Sequence, residues 1–422
     1  MISIERIRNN LEALESSLTL KGYSDDLNEI ISIDSDYRAS LSLINDLRAE
    51  RNKVTDQIAK LKKSKQDAND KIVSMRILGD KIKDFESEMS LKKERLDRLI
   101  LNLPNVPHES VPPGSDESNN KVIYEWGVEK NQSFDLKNHL SLGSSLKLFD
   151  FERSAKLSGS GFPLYTGKGA LLERSLINFM LEIQTQKNDY LEIIPPFLVN
   201  SNSVLTTGNL PKFSEDMYHS EIDDMWLIPT AEVPLTNIHY NEILNQSDLP
   251  KKYTAFSACF RREAGSYGKD TKGFQRLHQF NKVELVQLVK PEESYKALES
   301  LTSHAEMVLK ALNLKYRKIE LCAGDLSFSA AKCYDLEIWA PAEEKWLEVS
   351  SCSNFEDFQS RRGNIRYRKE VDNKVDFVHT LNGSGLATPR LLIALLETYQ
   401  NANGTITVPE PLQDYTKLKI ID

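Results

Sequence analysis

The sequence predicts an α+β protein in two parts: an N-terminal hairpin of two long antiparallel helices, and a larger domain of strands and helices. Three observations support this fold class. Two runs of apolar residues have heptad spacing, a proline-rich segment follows them, and strand-like segments flank a basic loop that contains glycines. We predict an arm over 1–103, a linker over 104–120 and a larger second domain over 121–422, since 422 residues exceed one simple core.

The two heptad runs define the arm. Apolar side chains recur at alternating steps of three and four: Ile44, Leu47, Arg51 (by its aliphatic stem only), Val54, Ile58 and Leu61 in the first run, and Met75, Leu78, Ile82, Phe85, Met89, Leu96 and Leu99 in the second, with Lys92 as a break. The polar stretch 62–70 joins them, so the two narrow stripes can be buried against each other in an antiparallel coiled coil. Each helix should be about 40 Å long. We expect the first forty residues, with their acidic side chains, to form short helices at its base.

Four lysines lie at the predicted tip of the arm: Lys60, Lys62, Lys63 and Lys65. The simplest interpretation of such a hairpin is that it serves dimerisation or acts as a scaffold. The lysines have no acidic neighbour within their run and are not needed for packing, so they could bind phosphates. The net charge of −8 argues against a generally basic surface, but residues 40–100 contain 15 Lys and Arg against 11 Asp and Glu. The positive charge is therefore segregated in the arm.

The segment after the arm marks a boundary, because its prolines and glycine cannot continue a helix: Pro104, Pro107, Pro112, Pro113 and Gly114. Beyond it, 169–187 has helical spacing and runs into a strand, 190–198, that contains Pro195 and Pro196. Residues 301–312 and 386–400 are predicted as further helices. These elements make the larger domain a mixture of helices and strands.

Composition and cysteine usage limit the cellular context. Hydrophobic residues at 40% and charged residues at 27% are ordinary for a globular protein. The N-terminus lacks the layout of a signal peptide, and no apolar run approaches the roughly 20 residues of a membrane span, so we expect a cytoplasmic protein without membrane contact. The four cysteines form no Cys-x-x-Cys pair, and we therefore expect reduced thiols and no zinc: Cys259, Cys322, Cys333 and Cys352.

The basic loop between two predicted strands, 253–260 and 282–289, is the main candidate for a ligand site. Three glycines (Gly265, Gly268 and Gly273) give it freedom to wrap a ligand, and five cations would face that ligand: Arg261, Arg262, Lys269, Lys272 and Arg276. A solvated hairpin is the alternative interpretation. Two features favour a nucleotide instead: Glu263 would share one strand face with Arg261, and Phe274 and Phe280 could stack on a base. The loop has no nucleotide-binding glycine motif of the usual kinds.

These residues carry a resemblance to a known family. Phe-Arg-x-Glu at 260–263, with the returning Arg-x-His-Gln-Phe at 276–280, resembles motif 2 of the class II aminoacyl-tRNA synthetases. Three more segments, 230–232, 348–354 and 380–387, are similar to the seryl-tRNA synthetase family in order and spacing. The helix and strand over 169–198 resemble motif 1, the dimer interface of the class, although Asp189 stands where that motif usually has glycine.

The resemblance implies a class II antiparallel sheet flanked by helices, and activation of L-serine by ATP with Mg²⁺ before transfer to tRNA(Ser). It also implies tRNA(Sec) as a second candidate substrate, and a homodimer. By position, the catalytic residues would be Arg261, Glu263 and Arg390. ATP would be bound by Arg261, Arg262, Glu263, Arg276, Phe280, Glu348, Val349, Ser350, Ser351 and Arg390, and its Mg²⁺ by Glu348 and Ser351. Serine would be bound by Thr230, Ala231, Glu232, Arg261, Glu284 and Ser384, and tRNA by the four tip lysines, Lys60, Lys62, Lys63 and Lys65.

The reaction that the resemblance implies needs no nucleophile or general base from the protein. The serine carboxylate is already an anion, so positioning and charge neutralisation are sufficient. We therefore interpret His278 and Cys352 as structural residues. Pro389 precedes Arg390 where relatives often have glycine, but proline suits a first helical turn, so we expect Arg390 still to face the site.

Two other functions stay open from the residues alone. Another class II amino-acid ligase would share motif 2, although the basic-tipped arm argues against it. A non-catalytic paralogue would use the arm as an RNA-binding module, but it would be expected to lose Arg261, Glu263, Glu348 or Arg390, and all four are present.

Overall fold

The computed structural model describes residues 1–130, 132–263 and 273–422. The glycines and lysines predicted in the middle of the basic loop therefore lie outside the described residues: Gly265, Gly268, Lys269 and Lys272. The chain forms two compact units. One, the arm unit, contains Ile2–Thr19 and Tyr23–Leu103; the other, the catalytic unit, contains Met1, Leu20–Gly22 and Pro104–Asp422.

Helices α1 to α13 of the described residues, in chain order, are Ile4–Asn9, Leu11–Thr19, Asn28–Lys63, Asn69–Leu101, His139–Ser145, Phe151–Ser158, Gly167–Lys187, Ser201–Thr207, Glu232–Thr236, Ser294–Ala311, Phe358–Gly363, Thr388–Thr398 and Glu410–Thr416. Strands β1 to β16 are Lys121–Trp126, Leu191–Glu192, Leu198–Asn200, His219–Ser220, Met225–Leu227, Ile243–Asn245, Lys251–Phe260, Gln279–Val289, Tyr316–Glu320, Lys332–Ala340, Lys345–Asn354, Arg366–Arg368, Val375–Phe377, His379–Ala387, Ile406–Thr407 and Ile420–Ile421.

The arm unit is built on the predicted helical hairpin. Helices α3 and α4 contain 36 and 33 residues, so each is about 50 Å long. The buried side chains occur at heptad positions on both helices: Ile44, Ile58, Leu78, Ile82 and Leu96. At the heptad break, Lys92 Nζ donates a hydrogen bond of 3.0 Å to Ser40 Oγ on the other helix. The break is therefore a polar cross-link between the helices.

The predicted base of the arm was wrong in part. Only α1 and α2 are short helices, and from Asn28 onward the chain already belongs to the long helix α3. Asp34, which was assigned to the base, is 1% exposed and lies inside that helix. Its carboxylate is paired with Arg8 at 2.7 Å and with Arg38 at 3.0 Å, and these ion pairs compensate its charge. Local composition alone did not reveal that compensation.

An eight-stranded sheet organises the catalytic unit, in the order β1-β9-β10-β11-β14-β8-β7-β2. Every neighbouring pair is antiparallel except β2 and β7, which are parallel. Helix α10 packs on β14 and β11, and α12 packs on β10, β11 and β8. This is the predicted class II arrangement of an antiparallel sheet flanked by helices. It brings the ends of β7 and β8, the middle of β11 and the start of α12 to one region.

The motif 1 segment differs from its prediction in the strand. Helix α7 covers the predicted helix, but the predicted strand 190–198 is reduced to β2, with two residues, and β3, with three. Pro195 and Pro196 separate the two strands because proline has no N–H to donate to a sheet. Asp189 has a φ of 57°, the left-handed region that glycine adopts most easily. That backbone explains why glycine is usual at this position, and aspartate is among the residues that tolerate it.

Two further features concern membranes and thiols. Among the residues that the structure describes, no helix is both long and apolar enough to span a membrane. All four cysteines are buried free thiols, as the sequence predicted.

Candidate active site

A cleft of about 750 Å³ opens between the β7–β8 loop ends, β11, β14 and the first turn of α12. Most residues predicted for the site line it: Thr230, Glu232, Arg261, Glu263, Arg276, Phe280, Glu348, Val349, Ser351, Ser384 and Arg390. Four predicted residues are not among its lining residues: Ala231, Arg262, Glu284 and Ser350. Ala231, Glu284 and Ser350 are buried behind the wall, and Arg262 is exposed on the outside.

One end of the cleft is cationic. Arg261 follows the last residue of β7, and its guanidinium carbon lies 5.1 Å from the centre of the Phe280 ring on β8. The backbone N–H of Arg261 donates to the carbonyl of His278 at 2.9 Å, and His278 Nδ1 lies 3.0 Å from the carbonyl of Arg261. These two contacts close the neck of the basic loop, so the loop ends are fixed relative to each other. Arg261 and Phe280 are thereby held together in the cleft.

Glu263 does not share a strand face with Arg261, contrary to the prediction. Strand β7 ends at Phe260, and Glu263 has a left-handed backbone with a φ of 51°. Its carboxylate instead accepts a hydrogen bond of 3.0 Å from Arg276 Nη1, across the loop. The prediction assumed that side chains continue to alternate between the two faces of β7 as far as Glu263. The left-handed backbone of Glu263 breaks this alternation, and the sequence did not reveal that the strand ends earlier.

Phe274 does not serve as a stacking platform in this structure. Its ring is 1% exposed and lies in an aromatic cluster with Phe149 at 4.8 Å, Phe151 at 5.1 Å and Tyr165 at 5.5 Å between ring centres. Burial of this kind stabilises the end of the loop but leaves no free ring face for a base. Of the two predicted rings, only Phe280 keeps a partly exposed position in the cleft.

Arg390 lies in the first turn of α12 and points to β11. Its Nη1 donates to the carbonyl of Glu348 at 2.9 Å, and the same atom is 3.6 Å from the Glu348 carboxylate. Pro389 lies at the start of the same helix, where a missing N–H costs no hydrogen bond. The replacement of glycine by proline therefore leaves Arg390 in the cleft.

The other end of the cleft is a buried network around two carboxylates. Glu232 accepts hydrogen bonds from Gln359 Nε2 at 2.7 Å and from Asn382 Nδ2 at 2.9 Å. Glu284 is fully buried; it accepts from Thr230 Oγ1 at 2.9 Å and from Asn382 Nδ2 at 3.1 Å, and it forms an ion pair with Lys282. Asn382 therefore joins the two carboxylates through one amide.

In this structure Glu284, which was predicted to contact serine, is not among the residues that line the cleft. Its carboxylate lies behind Thr230 and Asn382, which do line the cleft. Ser384 is in the lining, and its carbonyl accepts a hydrogen bond of 2.7 Å from Ser350 Oγ. The polar surface at this end is thus made by Thr230, Glu232 and Asn382, with Glu284 supporting it from behind.

Burial and charge act together on Glu232. Burial, and after it the neighbouring Glu284 carboxylate, raise the pKa of the Glu232 carboxyl to about 7. A carboxyl with this pKa gains or loses its charge near neutral pH. A positively charged ligand beside it would favour the charged form.

Sequence reasoning missed three residues of this network: Lys282, Gln359 and Asn382. Asn382 lies inside the segment 380–387 that carried the family resemblance, so its position was visible but not its role. Lys282 alternates with Glu284 on β8 and could have been proposed as a same-face partner. Gln359 is on α11, and no local pattern links it to Glu232.

Oxygen donors suited to a cation occur near Arg390. Glu348 has an exposed carboxylate in the cleft, and the Ser351 hydroxyl lies three residues along the same strand. Ser351 Oγ is 3.1 Å from Cys333 Sγ. Hard oxygen ligands beside a phosphate site fit a magnesium ion that arrives with a nucleotide.

His278 and Cys352 have structural contacts. The His278 ring stacks on Phe162, with 5.3 Å between ring centres, and its Nδ1 faces the Arg261 carbonyl. Cys352 is fully buried, and burial raises the pKa of its thiol to about 12, which disfavours a nucleophilic thiolate. The four lysines predicted to bind tRNA are exposed in the arm unit, at or next to the end of α3: Lys60, Lys62, Lys63 and Lys65.

Two family models match the chain. Residues 1–107 match the seryl-tRNA synthetase N-terminal domain, and residues 213–399 match the tRNA synthetase class II core domain (G, H, P, S and T). The serine–tRNA ligase of Chloroherpeton thalassium is 50% identical over the full length of both chains. That of Listeria welshimeri is 50% identical over 98% of this chain and 97% of its own.

Solved structures agree with these relatives. The seryl-tRNA synthetase of Pyrococcus horikoshii, complexed with ATP, is 38% identical with a TM-score of 0.92, covering 100% of this chain and 99% of its own. The cytoplasmic serine–tRNA ligase of Naegleria fowleri, in complex with AMP, is 26% identical with a TM-score of 0.88 over 100% and 99% of the two chains. Since sequence, arm, sheet and cleft all agree, this chain belongs to the seryl-tRNA synthetase family and has the class II core of a serine–tRNA ligase.

Proposed function

We propose that the cleft binds ATP at its cationic end and L-serine at its carboxylate end, and that the two react there. The observation that carries this proposal is the presence of both ends in one cleft: Arg261 and Arg390 at one end, Thr230 and Glu232 at the other. A triphosphate needs cations, and an amino acid needs an acceptor for its ammonium group. The two substrates would meet between the two ends.

In the first step, a carboxylate oxygen of serine attacks the α-phosphorus of ATP. The new O–P bond gives seryl-adenylate, and the bond to the β-phosphate oxygen breaks, so that pyrophosphate leaves. Arg261, Arg276 and Arg390 neutralise the charge that builds on the phosphates. When bound, Mg²⁺ held by Glu348 and Ser351 would add positive charge at the same phosphates. Phe280 would stack on adenine. The Glu263–Arg276 ion pair would hold the two ends of the basic loop in a fixed position relative to each other.

Serine recognition rests on the buried network. Glu232 in its charged form accepts from the substrate ammonium, while Thr230 and Ser384 limit the space to a small polar side chain. Glu284 acts as a positioning residue, because it orients the Thr230 hydroxyl and the Asn382 amide. Ala231 is buried behind the serine end, and Val349 lines the cleft next to Glu348. A site of this type rejects alanine, since the missing hydroxyl would leave polar groups unpaired.

In the second step, a terminal ribose hydroxyl of tRNA(Ser) attacks the serine carbonyl carbon. The ester bond forms as the hydroxyl loses its proton to the solvent, the bond to AMP breaks, and AMP leaves with the electron pair. We propose that the tip lysines of the arm bind the tRNA backbone, because they are exposed cations at the end of a long hairpin. A tRNA(Sec) that presents the same backbone shape would be a second substrate.

We further propose a homodimer and a cytoplasmic location. Helix α7 and the short strand β2 that follows it, with Pro195 and Pro196, resemble the class interface, and a closed two-fold contact is the commonest oligomer. The cytoplasm holds the ATP, serine and tRNA that the reaction consumes. Sedimentation equilibrium tests the dimer, and a monomer of 48.1 kDa at micromolar concentration would contradict it.

Serine-dependent exchange of pyrophosphate into ATP tests the main proposal. The purified protein should catalyse exchange with L-serine, and exchange with threonine or alanine should be lower by several orders of magnitude. Charging of tRNA(Ser) and tRNA(Sec) transcripts then tests the second step. Equal exchange with alanine and serine would show that the carboxylate end is not the serine site.

A further inference from the structure

Three potential metal ligands meet outside the cleft, on separate elements of the catalytic unit. His139 is the first residue of α5, Glu343 lies in the turn between β10 and β11, and Glu397 is in the last turn of α12. One ligand atom from each lies within 4.8 Å of the others. We propose that His139, Glu343 and Glu397 form a site for one divalent transition-metal ion, with Zn²⁺ as the ion to test.

The separations between the ligand atoms fit a shared ion. His139 Nδ1 is 3.4 Å from Glu397 Oε1 and 3.5 Å from Glu343 Oε1. These distances are longer than an N–H···O hydrogen bond of roughly 2.7–3.2 Å. Zinc bonds of about 2.0–2.2 Å to nitrogen and oxygen, in tetrahedral geometry, give ligand separations of about 3.4 Å. The two nitrogen–oxygen separations therefore match ligands that share an ion better than a direct hydrogen bond, and the two carboxylates lie within 4.8 Å of each other.

The His139 ring supplies the second observation. Its side chain is 1% exposed, and neither ring nitrogen has a hydrogen-bond partner among the residues that the structure describes. Leaving a buried polar atom without a partner is unfavourable. Because Nδ1 points between the two carboxylates, an ion bound there would give this nitrogen a partner.

The charges around the site also favour a cation. Glu397 is fully buried, and its oxygens accept N–H groups from His139 at 3.1 Å, Ala342 at 3.0 Å and Glu343 at 3.3 Å. These bonds hold the carboxylate in place before any ion arrives. The C-terminal end of helix α12 carries the partial negative charge of the helix dipole, and no basic residue in its last turn compensates that charge. A divalent ion would compensate both carboxylates and the helix end.

The ligand set indicates the class of metal. One imidazole and two carboxylates, without thiolate, suit Zn²⁺ or a similar ion. The Glu343 side chain is 20% exposed, which leaves solvent access for a water as the fourth ligand. The sequence predicted no zinc from its cysteine spacing, and this site uses none of the cysteines. Positions 139, 343 and 397 are too far apart in the chain to form a recognisable motif.

The site would act on structure, since it connects three elements beneath the cleft. Helix α12 carries Arg390 at its other end, and Gly273, where the described chain resumes after the basic loop, lies against His139. A Cβ built on Gly273 would be 2.4 Å from His139 Nε2. A bound ion would fix this contact and the C-terminal end of α12 together.

Zinc binding by the full-length protein tests the proposal without any activity assay. The protein is first stripped with EDTA and then dialysed to equilibrium against Zn²⁺, with excess Mg²⁺ to occupy hard oxygen sites in the cleft. We expect one zinc per chain, with a rise of a few degrees in the melting midpoint. Glu343→Gln, a conservative change of a partly exposed side chain, should weaken zinc binding at least tenfold and remove the rise.

Two matched variants separate this site from others. Glu344→Gln removes the same charge from the adjacent, exposed residue of the turn, and Glu348→Gln removes the cleft carboxylate; both should bind zinc as the wild type does. His139→Gln should lose zinc as Glu343→Gln does. Substoichiometric zinc in the wild type, or equal affinity in the wild type and Glu343→Gln, would overturn the proposal. In that case His139 would simply be a buried ring held between two carboxylates.

Discussion

The two ends of the cleft differ in how extensively hydrogen bonds fix their side chains in the absence of substrate. At the proposed phosphate end, Arg261 is exposed and its guanidinium lies over the Phe280 ring, while Arg390 donates a hydrogen bond to the Glu348 carbonyl. At the serine end, Glu232 and Glu284 each accept at least two hydrogen bonds from side chains of the wall. The first end presents cations at its surface, and the second has a buried hydrogen-bonded network.

This difference follows from what each end must distinguish. Charge alone holds a triphosphate, so long exposed cations are sufficient and can follow the phosphates during reaction. Serine differs from alanine by one hydroxyl, and discrimination of that kind needs buried polar groups in fixed positions. Substitutions should therefore have different signatures at the two ends: loss of rate at the phosphate end, and loss of serine affinity at the serine end.

The largest effect is expected at the phosphate end. Arg261→Ala and Arg390→Ala should each lower serine-dependent exchange by a factor of about 10² to 10³, because a charged contact to the transition state is lost. The melting temperature should be unchanged. Arg153→Ala, which removes an exposed arginine of α6, is the control. Exchange within tenfold of wild type in either cleft variant would remove that arginine from the mechanism.

Arg262 tests how far the ATP-binding surface extends beyond Arg261. The family resemblance assigns it to ATP, but the structure places its side chain outside the cleft lining, with its backbone N–H bonded to the Asp216 carbonyl at 3.0 Å. A loss of exchange in Arg262→Ala similar to that of Arg261→Ala would mean that the loop rearranges to bring Arg262 to the nucleotide.

A smaller effect is expected at the serine end. Thr230→Val keeps the shape of the side chain but removes the hydroxyl that donates to Glu284, so it should raise the KM for serine about tenfold or more. Thr254→Val is a matched control: it removes a buried hydroxyl that donates to the Glu284 backbone carbonyl, away from the cleft. Both should lower stability by about 1 kcal/mol, whereas only Thr230→Val should change the KM.

The two ends also differ in how well the sequence predicted them. Arg261, Arg390 and Glu348 were placed correctly in one cleft because they belong to segments with a recognisable pattern. The free stacking face of Phe274 was wrong, since its partners come from 149–165. The strand face that Glu263 was predicted to share with Arg261 was also wrong, because the strand ends at Phe260. The full burial of Glu284 could not be predicted, because its carboxylate contacts Thr230 and Asn382, which lie about 50 and 100 positions away. Local patterns identify residue types; packing decides which atoms face the substrate.

The fold itself was more accessible than the site. Heptad spacing predicted two helices that pack on each other, and the strand-loop-strand pattern predicted an antiparallel pair of strands. Both predictions needed only the local sequence. The start of α3 at Asn28 was not predicted, and no local pattern shows that Asp34, inside this helix, is buried in ion pairs with Arg8 and Arg38. Long-range charge compensation is not visible in local composition.

The pH dependence of serine affinity should report on the serine end alone. The pKa of Glu232 is raised to about 7, so its carboxyl becomes neutral as the pH falls below 7 and loses its attraction for the substrate ammonium. The KM for serine should rise as the pH falls from 8 to 6, by up to about tenfold per unit below the pKa. Glu232→Gln should have a high KM that varies little over this range, while the KM for ATP follows the same course in both proteins. An identical pH profile of the serine KM in both proteins would exclude Glu232 as the titrating group.

The smallest effect on exchange is expected from the arm, which is a separate compact unit. Replacing Lys60, Lys62, Lys63 and Lys65 by glutamine should leave serine-dependent exchange within about twofold, because small substrates need no phosphate-binding lysines at the tip of a hairpin. Charging of tRNA should weaken in the same variant, and the slope of its affinity against salt concentration should fall by about 0.7 to 0.9 for each lost phosphate contact. Lys81 and Lys83, two exposed lysines along α4, provide the comparison variant. If the tip variant charges tRNA normally across the salt titration and the Lys81/Lys83 variant does not, the RNA is held along the helix faces and the tip lysines are only solvated. Neither outcome of the tRNA-charging experiment would affect the assignment of the two ends of the cleft, because pyrophosphate exchange tests that assignment without tRNA.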